Sequence, residues 1–71
     1  MTRNIVNVSE ALRPLIIDDE SVIVGEEFWI VIFDPARGYL AAWVDENGDV
    51  HTAIRKTVKG AANLADRSWG R

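Results

Sequence analysis

Carboxylates are the residues of this chain best able to do chemistry, and they come in clusters: Asp18-Asp19-Glu20, Glu26-Glu27 and Asp45-Glu46-Asn47-Gly48-Asp49. Buried, such groups hold metals or move protons; in loop-like sequence they form a solvated face. The third cluster starts like a calcium loop, with Asp, Asn and Asp at alternate positions. The glycine such a loop requires then falls at Val50 and its bidentate glutamate at Lys56, so the calcium reading fails. There is one histidine, His51, and no cysteine. Cys–His chemistry is therefore excluded, and a Ser–His pair has only His51 with Ser9, Ser21 or Ser68, none of them in an elbow-like motif. A zinc site would need His51 plus carboxylates. The glycines stand singly, so no phosphate-cradling loop exists. The chain reads as a non-enzyme, with no catalytic residue, metal or cofactor expected.

The elements that must position these side chains are written most clearly between Glu27 and Arg55. Three apolar runs, EFWIVIFD, YLAAWVD and DVHTAIR, flank two turn signals, and the first two are apolar at odd and even positions alike. A half-buried strand alternates, so this sheet hides both faces. Asn47-Gly48 supplies the positive-φ pair of a two-residue type I′ turn, which sets Trp43 opposite Thr52, Val44 opposite His51 and Ala41 opposite Ile54. Asp34-Pro35-Ala36-Arg37-Gly38 reads as a second hairpin. A four-residue loop Pro35–Gly38 sets Ile32 opposite Ala41 and Ile30 opposite Trp43; a bulge at Gly38 swaps these partners by one position.

Downstream, Val58, Ala61, Ala62, Ala65 and Trp69 recur at helical spacing between Thr57 and Gly70, which predicts an amphipathic helix with an alanine-rich face. The N-terminal third is less regular. Ile5–Val8, Leu15–Ile17 and Val22–Val24 have strand character, and Ser9–Arg13 reads as one helical turn capped by Ser9 and ended by Pro14. The prediction is a single α+β domain over residues 1–71. It comprises an antiparallel meander of three core strands, with room for one or two short N-terminal strands, and a C-terminal helix on one face. N-terminal chain or a second subunit must cover the other.

With 71 residues, 48% of them hydrophobic, the chain is long enough for one small core and too apolar for a disordered tail. No apolar run reaches the ~20 residues of a membrane helix, and the N-terminus lacks a secretory h-region, so the cytosol is the expected compartment. Self-association is expected too, because an uncovered apolar sheet face would be a patch that single chains seldom tolerate, and a symmetric homodimer removes it.

Charge divides the chain. Residues 1–50 carry three basic and ten acidic side chains, a net of −7, whereas residues 51–71 carry five basic and one acidic, a net of +4. The acidic portion suits capture of a basic protein surface. The expected contacts are Asp18, Asp19, Glu20, Glu26, Glu27, Asp45, Glu46 and Asp49, with Trp29 and Trp69 as anchors. In size and acidic balance the chain resembles the small inhibitors of phages and mobile elements, some of which imitate nucleic acid to block a DNA- or RNA-handling enzyme. The alternative is nucleic-acid binding through Arg55, Lys56, Lys59, Arg67 and Arg71. A three-stranded sheet followed by a helix is similar in topology to AP2-type and integrase arm-binding DNA readers. Those proteins expose Arg and Trp on one sheet face, and this sequence departs from that pattern.

Overall fold

The computed structural model of the protein describes residues 7–71. Strands β1 (Val22–Gly25), β2 (Trp29–Asp34), β3 (Gly38–Val44) and β4 (Val50–Arg55) form an antiparallel sheet in that order, and helix α1 (Val58–Ser68) closes the chain. The α+β meander with a C-terminal helix is thus present, with one short N-terminal strand added as β1. No helix among the described residues is long and apolar enough to cross a membrane.

Both hairpins differ from the predicted register by one residue. At the β3–β4 turn the Gly48 N–H donates to the Asp45 carbonyl (3.0 Å) and the Asp45 N–H to the Asp49 carbonyl (2.9 Å). Gly48 alone takes a left-handed conformation there, with φ 84°; Asn47 does not, so the turn is type I with a glycine bulge rather than type I′. The cause is Asp45, whose Oδ1 accepts from the N–H groups of Asn47 (2.8 Å) and Asp49 (2.9 Å) and fixes the turn one residue earlier. Val44 therefore faces Val50, Trp43 faces His51 and Leu40 faces Ile54.

Across β2–β3, Asp34 pairs with Gly38, so Ile30 faces Ala42 and Ile32 faces Leu40; this is the one-position swap that Gly38 permits. Gly38 is required twice over. Its φ is 117°, and a Cβ there would stand 2.9 Å from the Arg55 carbonyl oxygen.

This register sorts the apolar residues into two faces. Ile30, Ile32, Ala42 and Val44 pack with Val22 beneath Val8 and Leu12, with Leu15, Ile16 and Leu40 at the margin. Val31 and Ala41 pack against Ala61 and Ala65 of α1, fringed by Trp29, Tyr39 and Trp43. The second face is thus the helix's, as predicted, and Thr57 caps that helix by accepting from the Gly60 N–H at 3.0 Å. The first face is covered by the chain's own N-terminal segment.

That segment is a strap without regular length. The Leu12 N–H donates to the Ser9 carbonyl, and a 3₁₀ turn runs Arg13–Leu15 with Pro14 inside it. Pro14 is the second residue of this turn and does not end a helix, since its missing N–H has no partner in a first turn anyway. Leu15–Ile17 is not a strand: Leu15 ends the 3₁₀ turn and Ile17 is 97% exposed. Ile5 and Val6 of the expected first strand lie outside the described residues; Asn7 and Val8 are not in a strand. A second 3₁₀ turn, Asp19–Ser21, leads into β1, with the Asp18 Oδ1 accepting from the Glu20 N–H.

Candidate interaction site

An antiparallel meander puts alternate turns at opposite ends, and this divides the expected acidic contacts. One end gathers the β1–β2 turn, the β3–β4 turn and the end of α1. The Val44 N–H donates to the Phe28 carbonyl (3.0 Å), the Gly70 N–H to the Val44 carbonyl (2.9 Å) and the Glu46 N–H to the Arg71 carbonyl (3.4 Å). Glu26, Glu27, Asp45, Glu46, Asp49 and Trp69 meet there. Asp18, Asp19 and Glu20 lie at the other end, with the Asp34–Gly38 turn and the start of α1.

The basic residues divide likewise. Arg55, Lys56 and Lys59 stand where β4 passes into α1, whereas Arg67 and Arg71 belong to the far end of the helix. At 1.5 Å rise per residue, Lys59 and Arg67 are about 12 Å apart along the axis. With strap and helix on its two faces, the sheet leaves open only the margin at β4, not the whole face that the AP2-type arrangement lays in a DNA groove.

At the first end the side chains form a groove of about 380 Å³ lined by Glu26, Glu27, Phe28, Trp29, Asp66 and Trp69. Phe28 and Trp69 stack with ring centroids 5.0 Å apart and an interplanar angle of 19°. Both stay well exposed, at 38% and 39%. The stack follows from two local features. The β1–β2 turn, closed by the Glu26 N–H on the Trp29 carbonyl (2.9 Å), presents Phe28 just before β2 begins. Trp69 caps the end of α1, with its N–H on the Ala65 carbonyl and Gly70 turning the chain away at φ 76°. Glu26, Glu27 and Asp66 are exposed around the rings. Aromatic faces and carboxylates both attract cations, so the groove is chemically suited to an ammonium or guanidinium group.

Asp45 has a different role from its neighbours. Its carboxylate is only 12% exposed, and its Oδ2 lies 2.7 Å from the His51 Nε2. The His51 bond, and after it the Asp49 N–H, holds its pKa below the ordinary 3.8. Asp45 is thus occupied as the staple of its turn, while Glu46 and Asp49 remain exposed. His51 also stacks on Trp43, with centroids 5.9 Å apart at 17°. Trp29 is half-buried in the helix-covered core and only borders the groove. Among the described residues no three His, Asp or Glu side chains gather as a metal site.

Two lining residues, Phe28 and Asp66, are not among the contacts expected from the sequence. Phe28 opens the apolar run EFWIVIFD, which predicts it in the first core strand, but it sits in the turn before β2. Asp66 is three residues before Trp69, and that spacing at the helix end is the signal that could have named it. The chain was compared with family models, curated proteins and solved structures, and none of the three comparisons gives a match.

Proposed function

We propose that the protein is a non-catalytic interaction module that holds a basic protein surface at the Phe28–Trp69 groove. The observation that carries this reading is an exposed aromatic stack rimmed by three carboxylates, Glu26, Glu27 and Asp66. A lysine or arginine side chain of the partner lies over the rings with its charge between the carboxylates. Glu46 and Asp49 add long-range attraction from the same end. A small cytosolic inhibitor of a nucleic-acid-handling protein is the biological role that fits such a surface, since those proteins carry dense positive charge. Asp18, Asp19 and Glu20 are not part of this contact. Self-association belongs to the reading as well. It now rests on the open edge of β4, because strap and helix cover the central sheet.

The test is calorimetric titration with an arginine- and lysine-rich peptide at low and high salt. Binding should weaken with salt, and reversing Glu26 and Glu27 to lysine should weaken it about tenfold or more, the effect of losing about 1.4 kcal/mol. Trp69→Ala should do the same. Reversal of Asp18, Asp19 and Glu20 should change affinity less than about twofold. Equal losses at the two ends would reduce the interaction to net charge and overturn the assignment. Retention of DNA by the protein, lost on neutralising Arg55, Lys56 and Lys59, would favour the nucleic-acid reading instead.

A further inference from the structure

The two edges of the sheet are built differently. β1 is four residues long, has a register break between Val22 and Val24 and ends on Gly25. A short, irregular edge of this kind resists further pairing. β4 runs six residues in unbroken register with β3, contains no proline and is exposed along most of its length.

Its backbone polarity follows from the turn. Asp45 and Asp49 form a hydrogen-bonded pair, so His51, Ala53 and Arg55 bond inward to β3, and Val50, Thr52 and Ile54 turn their N–H and C=O groups to the open edge. Of these groups the Ile54 carbonyl is bonded to the Arg55 guanidinium at 2.8 Å. The same three side chains share the sheet face that the strap covers only as far as β3.

We propose that β4 pairs with β4 of a second copy, antiparallel, about a two-fold axis through Thr52. A two-fold normal to the sheet keeps faces together, so Thr52 meets Thr52, Val50 meets Ile54 and Asp49 meets Arg55 of the other copy. Each of the Thr52 and Val50–Ile54 pairs exchanges both backbone hydrogen bonds. Centring the axis on Ala53 would set His51 beside Arg55, and centring it on His51 would leave Asp49 opposite Ala53. The Thr52 register alone joins apolar to apolar and acid to base. It also lays the acidic β3–β4 turn, with Glu46 and Asp49, against Arg55, Lys56 and Lys59 of the other copy, once on each side of the axis. The opposed charges of the two parts of the chain are thereby neutralised between copies. Arg55 exchanges its own Ile54 carbonyl for the second copy's Asp49. The Phe28–Trp69 groove lies at the β1–β2 turn, away from this edge, so the pairing takes up Glu46 and Asp49, leaves Glu26, Glu27 and Asp66 open to a cation, and yields a dimer with two grooves.

Sedimentation equilibrium of the full chain from micromolar to millimolar concentration tests this directly. The mass should double with concentration, and less readily at high salt. Thr52→Pro removes an outward N–H that β3 does not use, so it should weaken the dimer more than tenfold with the circular dichroism unchanged. Asp49→Arg and Arg55→Asp should each weaken it severalfold, and the double variant should restore it by recreating the pair in reverse. A chain that stays single at millimolar concentration, or a double variant no tighter than either single, overturns the proposal. Peptide binding at the groove is read separately, so failure of one reading is distinguishable from failure of the other.

Discussion

The two faces of the sheet are covered by opposite means. On one, an eleven-residue helix contributes only the methyl groups of Ala61 and Ala65 to the buried centre, and aromatic rings from the strands fill its flanks. On the other, an irregular strap contributes Val8 and Leu12, with Leu15 and Ile16, to a core that is aliphatic throughout. A helix of alanines can lie close to a sheet because nothing holds it off, but it covers a narrow strip. Large rings then reach past it to the surface, and all three tryptophans are on this side or at its end. A strap of branched residues fills its own space and leaves no rings exposed. Where chain is scarce, the helix face keeps its rings partly exposed, and the strap face buries aliphatic side chains.

Truncating the strap should have the largest effect. Leu12 is fully buried, so Leu12→Ala removes its transfer free energy and leaves a cavity that the strap can only partly close. The expected loss is about 2–5 kcal/mol in urea unfolding, a large part of the stability of a domain this small. A loss below about 1 kcal/mol would show that the strap is an accessory and would break the comparison. The helix face should respond to added volume instead. Ala61→Leu places a branched side chain against Val31 and Ala41, pushing the helix outward at about 1–3 kcal/mol. Unchanged stability there would mean that the alanines are filler and that close approach is not what holds α1.

Periodicity without a proline break explains which of the two coverings is legible in the sequence. Val58, Ala61, Ala62, Ala65 and Trp69 fall on one helical stripe, and the helix formed within a residue of the predicted limits. Val8, Leu12, Leu15 and Ile16 do fall at helical spacing, i, i+4, i+7 and i+8, but Pro14 interrupts the stretch and 3₁₀ turns and bends carry it, so four residues with one destination read as a strand, a helical turn and another strand. The turns were legible and their register was not. A side-chain acceptor at Asp45 decided between two loop lengths that Asn47-Gly48 alone leaves open, and Gly38 did so at the other hairpin. The groove was half legible. Glu26, Glu27 and Trp69 were named from charge and residue type, whereas Phe28 needed the turn and Asp66 the helix end to bring them together. The reverse error was Asp45, a carboxylate expected at a surface contact whose hydrogen bonds turn it back on its own turn.

Acid offers a milder way to separate the two coverings, because a carboxylate links directly to the helix face. Asp45 bonds His51, which stacks on Trp43 in the fringe of that core. Asp34, whose pKa is lowered first by Arg37 and then by the Ala36 N–H, staples the other hairpin turn. A carboxylate whose folded pKa lies below its unfolded value adds stability above the unfolded value, and that stability is lost as pH falls through the folded one. Stability should therefore be level near neutrality on account of these two groups and decline below about pH 4. Asp45→Asn keeps an oxygen for the Asn47 and Asp49 N–H groups but loses the charge that faces His51. It should lower the urea midpoint at pH 7 by less than either core substitution, flatten the decline in acid, and alter the emission of Trp43 without weakening the exchange protection of the Leu12 amide relative to the rest of the domain. An acid decline as steep in Asp45→Asn as in the parent would remove Asp45 from this link and leave Asp34 as its source.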